Sequence, residues 1–223
     1  MFKITNYLSL VLLFFIFGCN TAIYKQEMQK KYNKSLNFFP LYVVSHFPKE
    51  VSDNSWFQTD VPFNKRLADY CFAHNYLMFE KSYEKSSYLR QKEHYDSLAL
   101  EMFYTDSTSN ILIFSYCDSM KVDGEIYRNQ ESLERKNLAK HNLKEANGLP
   151  VPLFKIDRYK GNTYSGLSND FKIYILDAKQ GKFLKDKYLY DCECLPKKWK
   201  HGFSKGVALS DKRKVIIYWV TVW

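Results

Sequence analysis

The residues able to do chemistry in this 223-residue chain are few: five cysteines, five histidines and one run of lysines threaded with aromatics. Cys71 and His74 stand in a C-x-x-H spacing, and with Cys192, Cys194 and His201 they supply on paper the thiolates and imidazoles of a tetrahedral zinc site. A strong zinc signal is two tight chelating pairs, however, and C-x-C is a poor one, so the sulfurs read instead as disulfides or buried thiols. Nor is Cys192-Glu193-Cys194 a redox motif. Thiol exchange needs C-x-x-C near a helix start, and the flanking acids Asp191 and Glu193 oppose a thiolate. No metal or cofactor is expected.

Hydrolytic signatures do not occur in the sequence: no Gly-x-Ser-x-Gly elbow, no His-Glu-x-x-His helix and no glycine-rich phosphate loop. His46, His74, His94, His141 and His201 lie apart, each reading as a structural or surface residue. A carboxylate pair for glycoside cleavage is assembled from distant positions and leaves no local trace, so an envelope hydrolase acting on glycan stays the alternative to a non-enzymatic binding or assembly module. The one concentrated feature is Pro196 to Lys205, where Lys197, Lys198, Lys200 and Lys205 alternate with Trp199, His201 and Phe203. Cations among aromatics suit an anionic headgroup or charged glycan, at roughly 1 kcal/mol per cation near an anionic surface. The blander reading is a solvated loop with Trp199 packed inward. Charge is uneven along the chain: residues 179–214 hold 11 cations and 4 anions, a net +7 within a total of +9.

The compartment follows from the first residues. Met1 to Gly18 carry one cation, Lys3, and an apolar core from Leu8 to Phe17 broken only by Ser9. Ten residues are about half the ~20 that a membrane-spanning helix needs, and suit the core of an export signal. Ile16-Phe17-Gly18-Cys19 resembles the lipobox of bacterial lipoproteins. The resemblance covers the first twenty residues and implies diacylglycerol on the Cys19 thiol, cleavage before it and stable membrane anchoring through its acyl chains, palmitate among them. Asn20 is not the inner-membrane retention aspartate of the enterobacterial version, which implies an outer-membrane lipoprotein facing the periplasm, where nucleic acid is not a partner. The GFSKG and IIYWVTVW stretches near the C-terminus are similar to small Bacteroidota lipoproteins of unknown function and imply no activity.

With Cys19 lipidated, four cysteines remain: Cys71, Cys117, Cys192 and Cys194. Four allow three pairings, and the preferred one joins the close pair Cys192 and Cys194 to Cys71 and Cys117. The divisions are an export signal over 1–18, a lipidated tether over 19–35 and one globular domain over 36–223. With 46% hydrophobic and 17% aromatic residues, the chain is globular in composition.

These residues must be positioned by an α+β fold with an antiparallel or mixed sheet. Tyr24, Met28 and Tyr32 fit one face of a short helix, but a helix of that length is marginal alone, so 20–35 reads as a loose tether. LYVVSHF over 41–47 reads as a strand, 51–60 as loop, and 70–79 as ambiguous. The main helix is expected over about 88–103 with Ser87 as N-cap, its stripe being Tyr95, Leu98, Ala99, Met102 and Phe103. Ile111 to Cys117 reads as a central strand, Asp123-Gly124 as a hairpin turn, and 131–146 as a second, surface helix. Residues 153–156 are extended, 171–176 form a strand turning at 178–181, and 206–209 pair with 214–223 in a last hairpin. Its second strand has no polar side and should be covered on both faces.

Overall fold

The computed structural model describes residues 23–61, 71–72, 75–107, 110–114, 119–122, 125–128, 141–142, 144–145, 147–189 and 195–223. Among them, residues 23–36 are helical (α1). α2 (Leu41–Val44) and α3 (Lys85–Leu98) follow, with β1 (Ser55–Asp60), β2 (Cys71–Phe72) and β3 (Asn75–Ser82) around them. Then come β4 (Glu101–Tyr104), β5 (Ile111–Phe114), β6 (Ser119–Val122), β7 (Glu125–Arg128), β8 (Leu149–Pro152), β9 (Phe171–Gln180), β10 (Gly202–Ser210) and β11 (Val215–Val222). The architecture is α+β, and no described helix is long and apolar enough to cross a membrane.

A six-stranded sheet in the order β1-β3-β11-β10-β9-β4 carries the fold, and all its pairings are antiparallel. β11 is buried along its whole length, as its lack of a polar side predicts. Its even-numbered residues Ile216, Tyr218, Val220 and Val222 pack with Tyr32, Val43, Tyr88 and Tyr95 of the helices. Its odd-numbered residues Val215, Ile217 and Trp219 pack with β5, β8 and the segment after β8. The period-2 alternation of a strand thus builds two cores on the two faces of one sheet. β10 reaches β9 across a bulge at Lys205/Gly206. A Cβ on Gly206 would lie 2.1 Å from the Tyr174 carbonyl oxygen and 2.6 Å from the Trp219 ring, so only glycine fits that close approach.

Several elements depart from the sequence expectation for a common reason: tertiary burial overrides local pattern. Residues 41–44 are helical because Val43, Val44 and Phe47 then share one buried face while Leu41 stays 81% exposed, a grouping that strand alternation cannot give. The expected loop at 51–60 contains edge strand β1, and with Phe57 its only buried residue it leaves no apolar alternation to read. The segment expected to be a loose tether is helical from 23 and buries Tyr32 completely, its ring 4.8 Å from Phe79 and 5.2 Å from Phe57. The helix near 88–103 instead spans Lys85–Leu98, with Glu84 and not Ser87 at the N-cap position, and 101–104 is a strand against β9. β9 itself continues through Ala178 to Gln180.

β5 is buried as expected, yet it pairs in parallel with β8 in a separate two-stranded sheet lying over the main one. Its alternate residues enter different clusters, Ile111 and Ile113 facing the main sheet and Leu112 and Phe114 facing Trp199 and Trp223. The hairpin over Asp123-Gly124 is present as β6 and β7, joined in register from Val122↔Glu125, although the turn residues lie outside the described set. Of the expected surface helix only its end is described, and there His141 and Asn142 are buried. Asn142 accepts from the Ile113 N–H at 2.8 Å and donates to the Ile113 carbonyl at 2.9 Å, standing in for a strand partner on β5.

Candidate functional site

The lysine-rich segment sits where β9 ends and β10 begins. Lys197–Trp199 form one 3-10 turn after Pro196, and the Trp199 N–H donates to the Pro196 carbonyl at 2.7 Å. Trp199 turns inward, 3% exposed, and packs 6.0 Å from Trp223, whose Nε1–H donates to the Trp199 carbonyl at 2.8 Å. Gly202 closes the turn beneath both rings: a Cβ there would lie 2.8 Å from the Lys179 carbonyl oxygen and 3.0 Å from the Trp223 ring. The inward tryptophan and the outward lysines are therefore two consequences of one turn.

Beside that turn lies an open groove of about 530 Å³, within the ~300–1,000 Å³ usual for small-ligand sites. Its lining comes from three stretches of chain: Lys198 and Trp199, then Lys179, Gln180 and Phe183 at and after the end of β9, then Asn147 with Leu149. Lys179 and Lys198 are exposed and set the sign of the groove. Lys198 Nζ lies 3.5 Å from Asn147 Oδ1, and Lys179 Nζ pairs with Asp177 at 3.2 Å. Trp199 Nε1 is buried with no hydrogen-bond partner among the described residues. The described lining holds no carboxylate, imidazole or thiol.

Of the sequence-predicted patch, Lys198 and Trp199 line this groove, and Lys197, Lys200 and His201 adjoin it along the same turn and the start of β10. Lys205 does not line the groove, although it is level with Asp177, the ion-pair partner of Lys179. Its Nζ donates to the Tyr42 carbonyl at 2.6 Å on the α2 side, where burial holds its ammonium below the usual lysine range. Lys179, Gln180, Phe183 and Asn147 were not legible as site residues, since only the β9–β10 pairing and the close of the segment before β8 bring them together. Cys71 contributes its backbone to β2 opposite Lys121. Cys19, Cys117, Cys192, Cys194 and His74 lie outside the described residues, and the expected bridges with them. Among the described residues no three of His, Cys, Asp and Glu gather as a metal site would require.

Two carboxylates are linked to Tyr159, Glu80 directly and Asp170 through Arg213, and both are engaged. Glu80 is 5% exposed, accepts from the Tyr159 hydroxyl at 2.6 Å and pairs with Arg158 at 2.8 Å. Asp170 accepts from Ser210 at 2.7 Å and from Arg213 Nε at 2.9 Å. Burial pushes the Asp170 carboxyl up, but hydrogen bonds from Arg213, Ser168 and Ser210 outweigh it and hold the group well below the usual carboxylate range. Arg213 and Arg158 also lie 5.2 and 5.6 Å from the Tyr159 ring, so the cluster clamps the 157–170 segment to the sheet. Compared with protein families, curated proteins and solved structures, the chain matches none.

Proposed function

We propose that the protein is a lipid-anchored, non-enzymatic binding module of the cell envelope whose groove beside Trp199 takes an anionic ligand. The observation that carries this reading is that Lys179 and Lys198 both line an open groove with no carboxylate in its described lining. The amides of Asn147 and Gln180 add neutral donors and acceptors, and Phe183 adds an apolar surface. The anchoring half of the reading is supported by the Ile16-Phe17-Gly18-Cys19 motif.

The test is charge reversal. Full-length Lys179→Glu/Lys198→Glu protein and the parent are titrated with dextran sulfate by calorimetry. The double variant binds about tenfold more weakly or worse, since each lost cation contributes on the order of 1 kcal/mol at an anionic partner. Equal affinity in parent and variant contradicts the assignment of the groove.

A further inference from the structure

The groove and the start of α1 occupy opposite corners of the main sheet. Lys25 Nζ, at the described start of α1, pairs with Asp53 Oδ1 at 3.0 Å. Asp53 precedes β1, whose Ser55 is level with Lys81 at the far end of β3. From there α1 passes Phe57 and Phe79 through Tyr32, and the chain then reaches Tyr188 through Phe38, whose rings lie 5.2 Å apart. Tyr188 is bound by Asn75, the first residue of β3, at 2.8 Å. Asn75 is level with Val222, next to Phe203 and to the Gln180–Gly202 pair that borders the groove. The two poles are thus separated by the eight residues of β3, about 24 Å at ~3.4 Å per residue. The groove itself lies at the margin of the sheet: Trp199, Ala178 and Leu149 belong to the face of β5 and β8, whereas Phe183 packs with the helical-face cluster of Tyr32, and Lys179, level with Phe203, is on that face too.

On the reading that Cys19 is lipidated, four residue steps join the lipid to Ile23. Those steps reach at most about 14 Å. A bilayer close to the start of α1 therefore has the length of β3 between it and the groove. We infer that the groove faces away from the anchoring bilayer and that its ligand is an acidic saccharide. The saccharide class follows from the lining. Lys179 and Lys198 answer carboxylate charge, Asn147 and Gln180 answer hydroxyls in both donor and acceptor senses, and the partly exposed Phe183 ring offers a flat surface to the C–H face of a sugar. An acidic peptide uses only the first of these.

The inference rests on the function proposed above, and the test separates the two. Full-length lipidated protein is reconstituted in phosphatidylcholine vesicles at ~150 mM salt, where screening acts over ~8 Å. Flotation then measures capture of polygalacturonate, dextran or polyglutamate, with and without phosphatidylglycerol in the same bilayer. The expected result is capture of polygalacturonate that falls about tenfold in Lys179→Glu/Lys198→Glu, exceeds polyglutamate and dextran by a similar factor, and changes less than about twofold when phosphatidylglycerol is added. Competition by phosphatidylglycerol overturns the orientation, and equal capture of polyglutamate overturns the saccharide class. Both of those leave the anion groove standing. Equal capture by parent and double variant overturns the groove itself, and failure of the protein to float with vesicles overturns the anchor.

Discussion

The indole N–H of Trp223 donates to the backbone carbonyl of Trp199 at 2.8 Å, so the residue that follows β11 fixes the turn presenting Lys197 and Lys198. The bond is buried, and the Trp223 ring also stacks on Phe114 at 4.7 Å. Trp223→Phe keeps most of the packing and leaves the Trp199 carbonyl unanswered, at a cost of about 1–3 kcal/mol. Chemical denaturation measures that loss. Dextran sulfate binding weakens in the same variant, because the turn loses its fixed place beside the groove.

Lys205 and Lys198 separate the site from the sequence patch that first suggested it. Lys205 is turned toward the Tyr42 carbonyl, whereas Lys198 lines the groove. Lys198→Met lowers affinity for dextran sulfate about fivefold, the equivalent of roughly 1 kcal/mol, and Lys205→Met leaves it unchanged within about twofold. Titration calorimetry on the two variants checks the contrast.

Asn142 holds β5 from its side with both polar atoms of its amide. Asn142→Ala strands the Ile113 N–H and carbonyl in a buried site and costs about 2–4 kcal/mol for the two groups. Asn142→Asp is no rescue, because a carboxylate accepts from the Ile113 N–H but opposes the Ile113 carbonyl. Denaturant midpoints for both variants fall well below the parent.

Acid sensitivity has a named source in His46. Its imidazole pKa is lowered to about 3, chiefly by burial and also by the Lys205 charge, against the opposing effect of bonds with the Trp219 and Gly206 backbone. A histidine held neutral in the fold takes up its proton first in the unfolded chain, near pH 6.5. Stability is therefore fully present above that pH and declines as pH falls from about 6.5 toward 3, by at most ~1.4 kcal/mol per pH unit. Asp60 acts against it, because burial raises its carboxyl to about 6 and the folded chain then holds the extra proton between about 4 and 6. His46→Leu flattens or reverses the slope between pH 4 and 6.5. Melting curves across that range read it directly, and an unchanged slope removes His46 as the cause.

The strongest period-2 and composition signals survived folding: β11 with no polar side, the hairpin into it, and the α+β class. What failed were segments whose apolar residues are few or are shared between elements. Phe57 alone anchors β1, and Tyr88 and Tyr95 alone anchor α3, too few to mark their boundaries. Met102 continues the helical spacing yet stays 43% exposed, because the backbone of 101–104 is a strand that completes the sheet edge. Within the site, Lys198 and Trp199 were legible because they are neighbours in sequence. Lys179 and Asn147 were not, because a β-ladder and the path into β8 bring them there, and no local pattern records either.

Hydrogen–deuterium exchange of the full-length protein with and without dextran sulfate tests most directly whether the groove beside Trp199 is where anions bind. Protection is predicted over 179–183 and 197–202, absent around Lys205 and Arg213, and abolished by Lys179→Glu/Lys198→Glu. Protection that leaves 179–183 and 197–202 untouched, or that persists in the double variant, contradicts the account.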